Sequence, residues 1–133
     1  MAEAARKTIL VVEDDPATRE GLIGLLRDEG FAVVAAQNGR QALELLAAAD
    51  EPPSLILLDL MMPVMDGWRF LAERKRAAGP LSRPPVVLLS GLGFISGAAG
   101  VSDFLRKPVD PDALIACVRR FCGRPATGTA SAG

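Results

Sequence analysis

Histidine is missing from this 133-residue chain, which removes imidazole catalysis and histidine-ligated zinc from consideration. Cysteine is scarce, with Cys117 and Cys122 the whole supply. Their spacing in a segment of helical pattern keeps them off a shared face. They read as buried or idle thiols of a reducing compartment, not as a disulfide. An excess of one charge is lacking too: 15 basic residues against 16 acidic ones leave a net −1, and no global field draws the chain to nucleic acid or an anionic membrane. No apolar run is long enough to cross a bilayer, and the first residues lack the basic-then-apolar layout of a signal peptide, so a cytoplasmic location is expected. No glycine-rich loop follows Val12, and Asp59 is followed by Leu60 and Met61 rather than by Asp-x-Asp spacing. A nucleotide-binding enzyme and an aspartate-nucleophile phosphatase therefore fit poorly.

What is present is an alternation of short apolar runs and helix-length segments, with half of the residues apolar. Strands are expected at Thr8–Glu13, Phe31–Ala36, Ser54–Asp59, Val86–Ser90 and Ser102–Arg106. The first helix opens at Asp15-Pro16, a cap followed by a first-turn proline, buries Leu22, Ile23, Leu25 and Leu26, and stops at Gly30. Asn38-Gly39 turns into a second helix with Ala42, Leu43, Leu45 and Leu46 inward, and Asp66 is a cap for a third carrying Trp68, Phe70 and Leu71. The last helix runs from about Asp110 to Phe121. Strands joined by helix-length crossovers imply an α/β fold: an open, doubly wound, five-stranded parallel sheet of order 2-1-3-4-5, flavodoxin-like. Residues 1–122 form one domain, and 123–133, without apolar periodicity, form a flexible tail or the start of a linker.

Two buried-type strands end on acids. Ile9-Leu10-Val11-Val12 runs into Glu13-Asp14-Asp15, and Leu55-Ile56-Leu57-Leu58 runs into Asp59. In the expected topology both ends meet where the strand order reverses, the ligand-binding edge of such sheets. Crowded carboxylates must protonate, disperse or bind a cation. Asp15 has two readings of equal weight, helix cap or member of the acidic group.

These motifs, with Asp59-Leu60-Met61-Met62-Pro63-Val64-Met65-Asp66-Gly67, Ser90-Gly91 and Lys107-Pro108, strongly resemble the receiver domain of bacterial two-component response regulators over roughly Lys7 to Phe121. The resemblance implies that Asp59 accepts a phosphoryl group from a sensor histidine kinase or phosphotransfer protein. It implies one Mg²⁺ held by Glu13, Asp14, Asp59 and the backbone carbonyl of Met61. Lys107 would supply positive charge to the phosphoryl oxygens, Ser90 a hydroxyl, and the Lys107–Pro108 bond would be cis. Ser90 and Phe104 would form the switch, Phe104 following the movement of the hydroxyl but having none of its own to bond in either state. On this reading the chain is no enzyme, beyond assisting its own phosphorylation and slow dephosphorylation.

The spacing from Ser90 to Lys107 is several residues shorter than the family pattern, and residues 91–100 are rich in glycine, so the fourth helix is expected to be shortened or irregular. That segment, the fifth strand and the last helix make the output face, which would meet a downstream protein target and is a candidate homodimer surface. With no DNA-binding segment after the last helix, output is expected through protein contacts, without direct nucleic-acid or membrane binding, unless the chain is excised from a longer regulator or hybrid kinase. An alternative is a receiver-like interaction module that signals without phosphorylation. Arg74-Lys75-Arg76 and Arg119-Arg120, near helix C-termini, read as solvated faces.

Overall fold

The computed structural model of the chain describes residues 7–60, 67–77, 84–91 and 101–123. In chain order the elements are β1 (Thr8–Val12), α1 (Pro16–Asp28), β2 (Ala32–Ala36), α2 (Gly39–Ala48), β3 (Leu55–Asp59), α3 (Gly67–Ala77), β4 (Val86–Ser90), β5 (Asp103–Arg106) and α4 (Pro111–Cys122). The strands form one five-stranded sheet, ordered β2-β1-β3-β4-β5, with every described pairing parallel. This is the expected fold. The segments 61–66 and 92–100 lie outside the described residues, and with them the Met61 carbonyl, the Asp66 cap and the shortened fourth helix.

The sheet's layering follows from strand alternation. Leu10, Val12, Ile56, Leu58 and Leu88 face one way and pack with Ala42 and Leu46 of α2 and with Phe70 and Leu71 of α3. Ile9, Val11, Leu55, Leu57, Val87 and Leu89 face the other way, onto Leu22 and Leu26 of α1 and Leu114, Cys117 and Val118 of α4. The central strands β3 and β4 are buried throughout, as expected of parallel strands covered on both faces, whereas the edge strands β2 and β5 are half-exposed.

Helix ends are set locally. Asp15 caps α1, its Oδ2 accepting from the Thr18 backbone N–H at 2.8 Å and the Thr18 hydroxyl at 2.7 Å. Asn38 caps α2 by accepting from Gln41 N–H at 2.8 Å, and Gln41 reaches back to accept from Gln37 N–H at 2.7 Å. Asp110 caps α4 through Ala113 N–H at 2.9 Å. Gly30, with φ of 95°, closes α1 while Gly30 N–H and Phe31 N–H bond back to the carbonyls of Arg27 and Leu26. Both thiols are free and buried.

One expectation is corrected. Arg74 is buried, not solvated, and its Nη2 donates to the Pro84 carbonyl at 2.6 Å. A helix C-terminal cation faced inward here because the segment entering β4 offers an acceptor that water would otherwise satisfy. Arg119 and Arg120 also do more than face solvent. Arg119 pairs with Glu29 beyond the end of α1, and Arg120 pairs with Asp103 on β5.

Candidate functional site

The carboxyl ends of β1 and β3 lie side by side because Val12 pairs with Leu58 in register. The next residue on each strand is therefore an acid, Glu13 or Asp59, and Asp14 follows in the turn toward α1. One carboxylate oxygen from each of Glu13, Asp14 and Asp59 lies within 4.8 Å of the other two. Glu13 is fully buried and Asp59 is 4% exposed. Asp15, by contrast, turns its side chain to the helix cap, and the two Thr18 bonds hold its pKa below the usual carboxylate value. Of its two readings, the cap is the one its contacts describe.

β5 brings the counter-charge across β4. Lys107 Nζ lies 2.7 Å from Glu13 Oε1 and 3.4 Å from Asp59 Oδ2. The ammonium thus neutralises Glu13 more fully than Asp59. Burial pushes the Asp59 pKa up to about 7, helped by the Glu13 charge and by hydrogen bonding with Asp14 and Glu13, while Lys107 pulls it down. For Lys107 burial opposes the charged form, but bonding and charge from Glu13, then from Asp59, outweigh it and raise the pKa above the usual lysine value. The Lys107–Pro108 bond is cis, and Lys107 N–H donates to the Ser90 carbonyl at 2.9 Å. Ser90 itself ends β4, almost wholly buried and paired in register with Arg106. Phe104 pairs with Leu88, and alternation puts it on the same sheet face as Ser90, against the α2/α3 core.

The donor set suits a hard divalent cation such as Mg²⁺, which prefers oxygen ligands. Glu13 Oε1 is buried and, although close to Lys107, accepts no aligned hydrogen bond among the described residues. Its lone pairs, like the mutual repulsion of three acids, would be satisfied by such an ion.

A residue that sequence reading passed over also belongs here. Arg19, one turn into α1, donates from Nη1 to the carbonyls of Glu13 at 3.0 Å and Asp14 at 3.4 Å. Asp15 N–H meanwhile donates to Glu13 Oε2 at 3.1 Å. Nothing but its position in the helix marks Arg19 in the sequence, since an arginine on a half-exposed helix face is commonplace.

Residues 9–119 match the response regulator receiver domain family. The chain is 37% identical over 126 residues to an uncharacterized 14.6 kDa protein of Leptolyngbya boryana, covering 92% of this chain and 95% of that one. It is 37% identical over 123 residues to the response regulator Rre1 of Synechocystis sp., covering 88% of this chain but 52% of the relative, so it spans about half the length of that protein. Among solved structures it resembles the receiver domain of the sensor histidine kinase PA1611 from Pseudomonas aeruginosa, which has a magnesium ion coordinated in its active-site cleft, at 29% identity and a TM-score of 0.79, covering 90% of this chain and 99% of that one. A doubly wound sheet with three acids and a lysine gathered at its switch point, and a family match across nearly its whole length, together place this chain in the response regulator receiver domain family.

Proposed function

We propose that the chain is a phosphoacceptor switch of a two-component system, with Asp59 as the residue phosphorylated. The observation that carries this reading is the position of Asp59: buried at the end of β3, within 4.8 Å of two further carboxylates and 3.4 Å from the Lys107 ammonium. In the reaction an Asp59 carboxylate oxygen attacks the phosphorus of a kinase phosphohistidine. The new O–P bond forms as the N–P bond breaks, and the departing imidazole takes a proton from solvent. Asp59 must be ionised to attack, so its raised pKa is the obstacle the site has to overcome. Bound Mg²⁺, held by Glu13, Asp14, Asp59 and the Met61 carbonyl, would offset the crowded negative charge as the phosphoryl group arrives. Lys107 supplies a fixed positive charge to the phosphoryl oxygens, and Ser90 donates its hydroxyl to them.

Phosphorylation then biases the positions of Ser90 and Phe104 and so the face around β5 and α4, which meets a downstream protein and is a candidate homodimer surface. The kinase or phosphotransfer partner, the cytoplasmic location and the lack of any separate enzymatic substrate belong to the same reading. No described helix is long and apolar enough to cross a membrane.

Intact mass spectrometry after incubation with acetyl phosphate and Mg²⁺ tests the chemistry. The expected result is one added phosphoryl group, lost in Asp59→Asn and in the metal-free control. No addition from acetyl phosphate or from a panel of kinases would overturn the reading in favour of a receiver-like module that signals without phosphorylation.

A further inference from the structure

We propose that Arg19 is a positioning residue for cation binding, a clamp on the backbone of the acidic turn that keeps Glu13 and Asp14 aimed at Asp59 before any ion arrives. The inference rests on the metal-dependent reading above and adds to it a residue outside the acidic cluster. Helical side chains lean toward the helix N-terminus, so an arginine one turn into α1 naturally reaches back over the turn that precedes the helix. There its Nη1 meets two successive carbonyls, Glu13 O at 3.0 Å and Asp14 O at 3.4 Å. The helix that carries Arg19 is itself anchored to the same turn, through the Asp15 cap and the Arg19 N–H bond to Asp15 O at 2.9 Å. On the far side Glu13 N–H donates to Ala36 O at 3.0 Å. The turn is therefore gripped from β2 by one bond and from α1 by the guanidinium.

That grip has a specific electrostatic task. Three carboxylates within 4.8 Å repel, and the loose member is the turn bearing Asp14, which no strand pairing holds. Guanidinium bonds to neutral carbonyls restrain this backbone without occupying any carboxylate oxygen, which leaves the ligand atoms available. Preorganisation of this kind lowers the ordering cost at the moment of binding.

The sign of the effect separates a clamp from a mere charge. A positive group near a cation site disfavours a second cation, so if Arg19 acted only through its charge, removing it would tighten metal binding. A clamp predicts the opposite. Mn²⁺ binding, followed by loss of the free-ion electron paramagnetic resonance signal, is measured on the full chain for wild type, Arg19→Ala and Arg19→Lys, with thermal melts of each. The expected result is a dissociation constant raised roughly 10-fold or more in Arg19→Ala. Arg19→Lys, one flexible donor in place of a rigid fork, should fall in between. For phosphoryl uptake, the half-saturating Mg²⁺ should rise while the rate at saturating Mg²⁺ stays near wild type, which a general folding defect would not produce. Unchanged or tighter Mn²⁺ binding in a folded Arg19→Ala overturns the proposal while leaving the metal site standing. Failure of the wild type to bind Mn²⁺ overturns both. Should Arg19→Ala not fold, Arg19→Lys decides: weaker binding with an unchanged melt supports the clamp, and wild-type binding refutes it.

Discussion

A carboxyl group that holds its proton to about pH 7 makes the metal-free protein unusually sensitive to pH. Asp59 titrates near 3.8 in an unfolded chain and near 7 in the folded one, chiefly because burial disfavours its charge. Between those values the folded chain binds a proton that the unfolded chain has released, so stability falls as pH rises through this window and levels off above it. Urea unfolding without divalent cations is expected to show a lower stability at pH 8 than at pH 5, by up to about 2.5 kcal/mol from this group. In Asp59→Asn that component of the slope should vanish, and the pH 8 stability should rise above wild type. Mg²⁺ should stabilise most above pH 7, where it no longer competes with the proton. A wild type and an Asp59→Asn with parallel pH profiles would mean that Asp59 is ionised throughout. At this scale the acids were legible in advance, because an apolar run that ends on a carboxylate is conspicuous. Arg19 was not, since its importance lies in which backbone oxygens it reaches.

Elements in this chain begin where a side chain can replace the missing helical acceptor. Asp15, Asn38 and Asp110 open α1, α2 and α4 in turn, and Pro16 and Pro111 occupy first-turn positions that need no donor. Asp110 itself lies three residues after Lys107, so the cap helps fix where the chain leaves β5. Asp110→Ala should cost about 1 kcal/mol by thermal or urea unfolding, and Asp110→Asn only a fraction of that. Equal losses in the two would show that charge rather than capping is at stake. These boundaries could be read from local residue types, as could the Gly30 stop. The inward turn of Arg74 could not, because its acceptor is Pro84, placed by the packing of α3 against the sheet and not by anything near Arg74 in sequence.

The whole molecule is a single sheet with a core on each face, and both cores depend on residues contributed from every part of the chain. Phe31, fully buried between α1 and the sheet, should show this plainly: Phe31→Ala is expected to cost about 3–5 kcal/mol in urea unfolding. Val34→Ala, at an exposed site on the adjoining β2, should stay within about 0.5 kcal/mol. Comparable losses would mean that β2 is covered on its outer side. Architecture on this scale was readable because parallel crossovers leave few alternatives, and the strand order placed the acids together before any distance was known. The strand order also divides the site by position in the sequence. β1 and β3 are adjacent, so Glu13, Asp14 and Asp59 all come from the first half of the chain, while Lys107 follows the edge strand β5. The acids and the ammonium that tempers them therefore come from opposite halves of the domain's sequence, and only the complete sheet brings them within reach of one another. Neutralisation of the pocket thus hangs on the last strand of the sheet, an edge strand with a single neighbour.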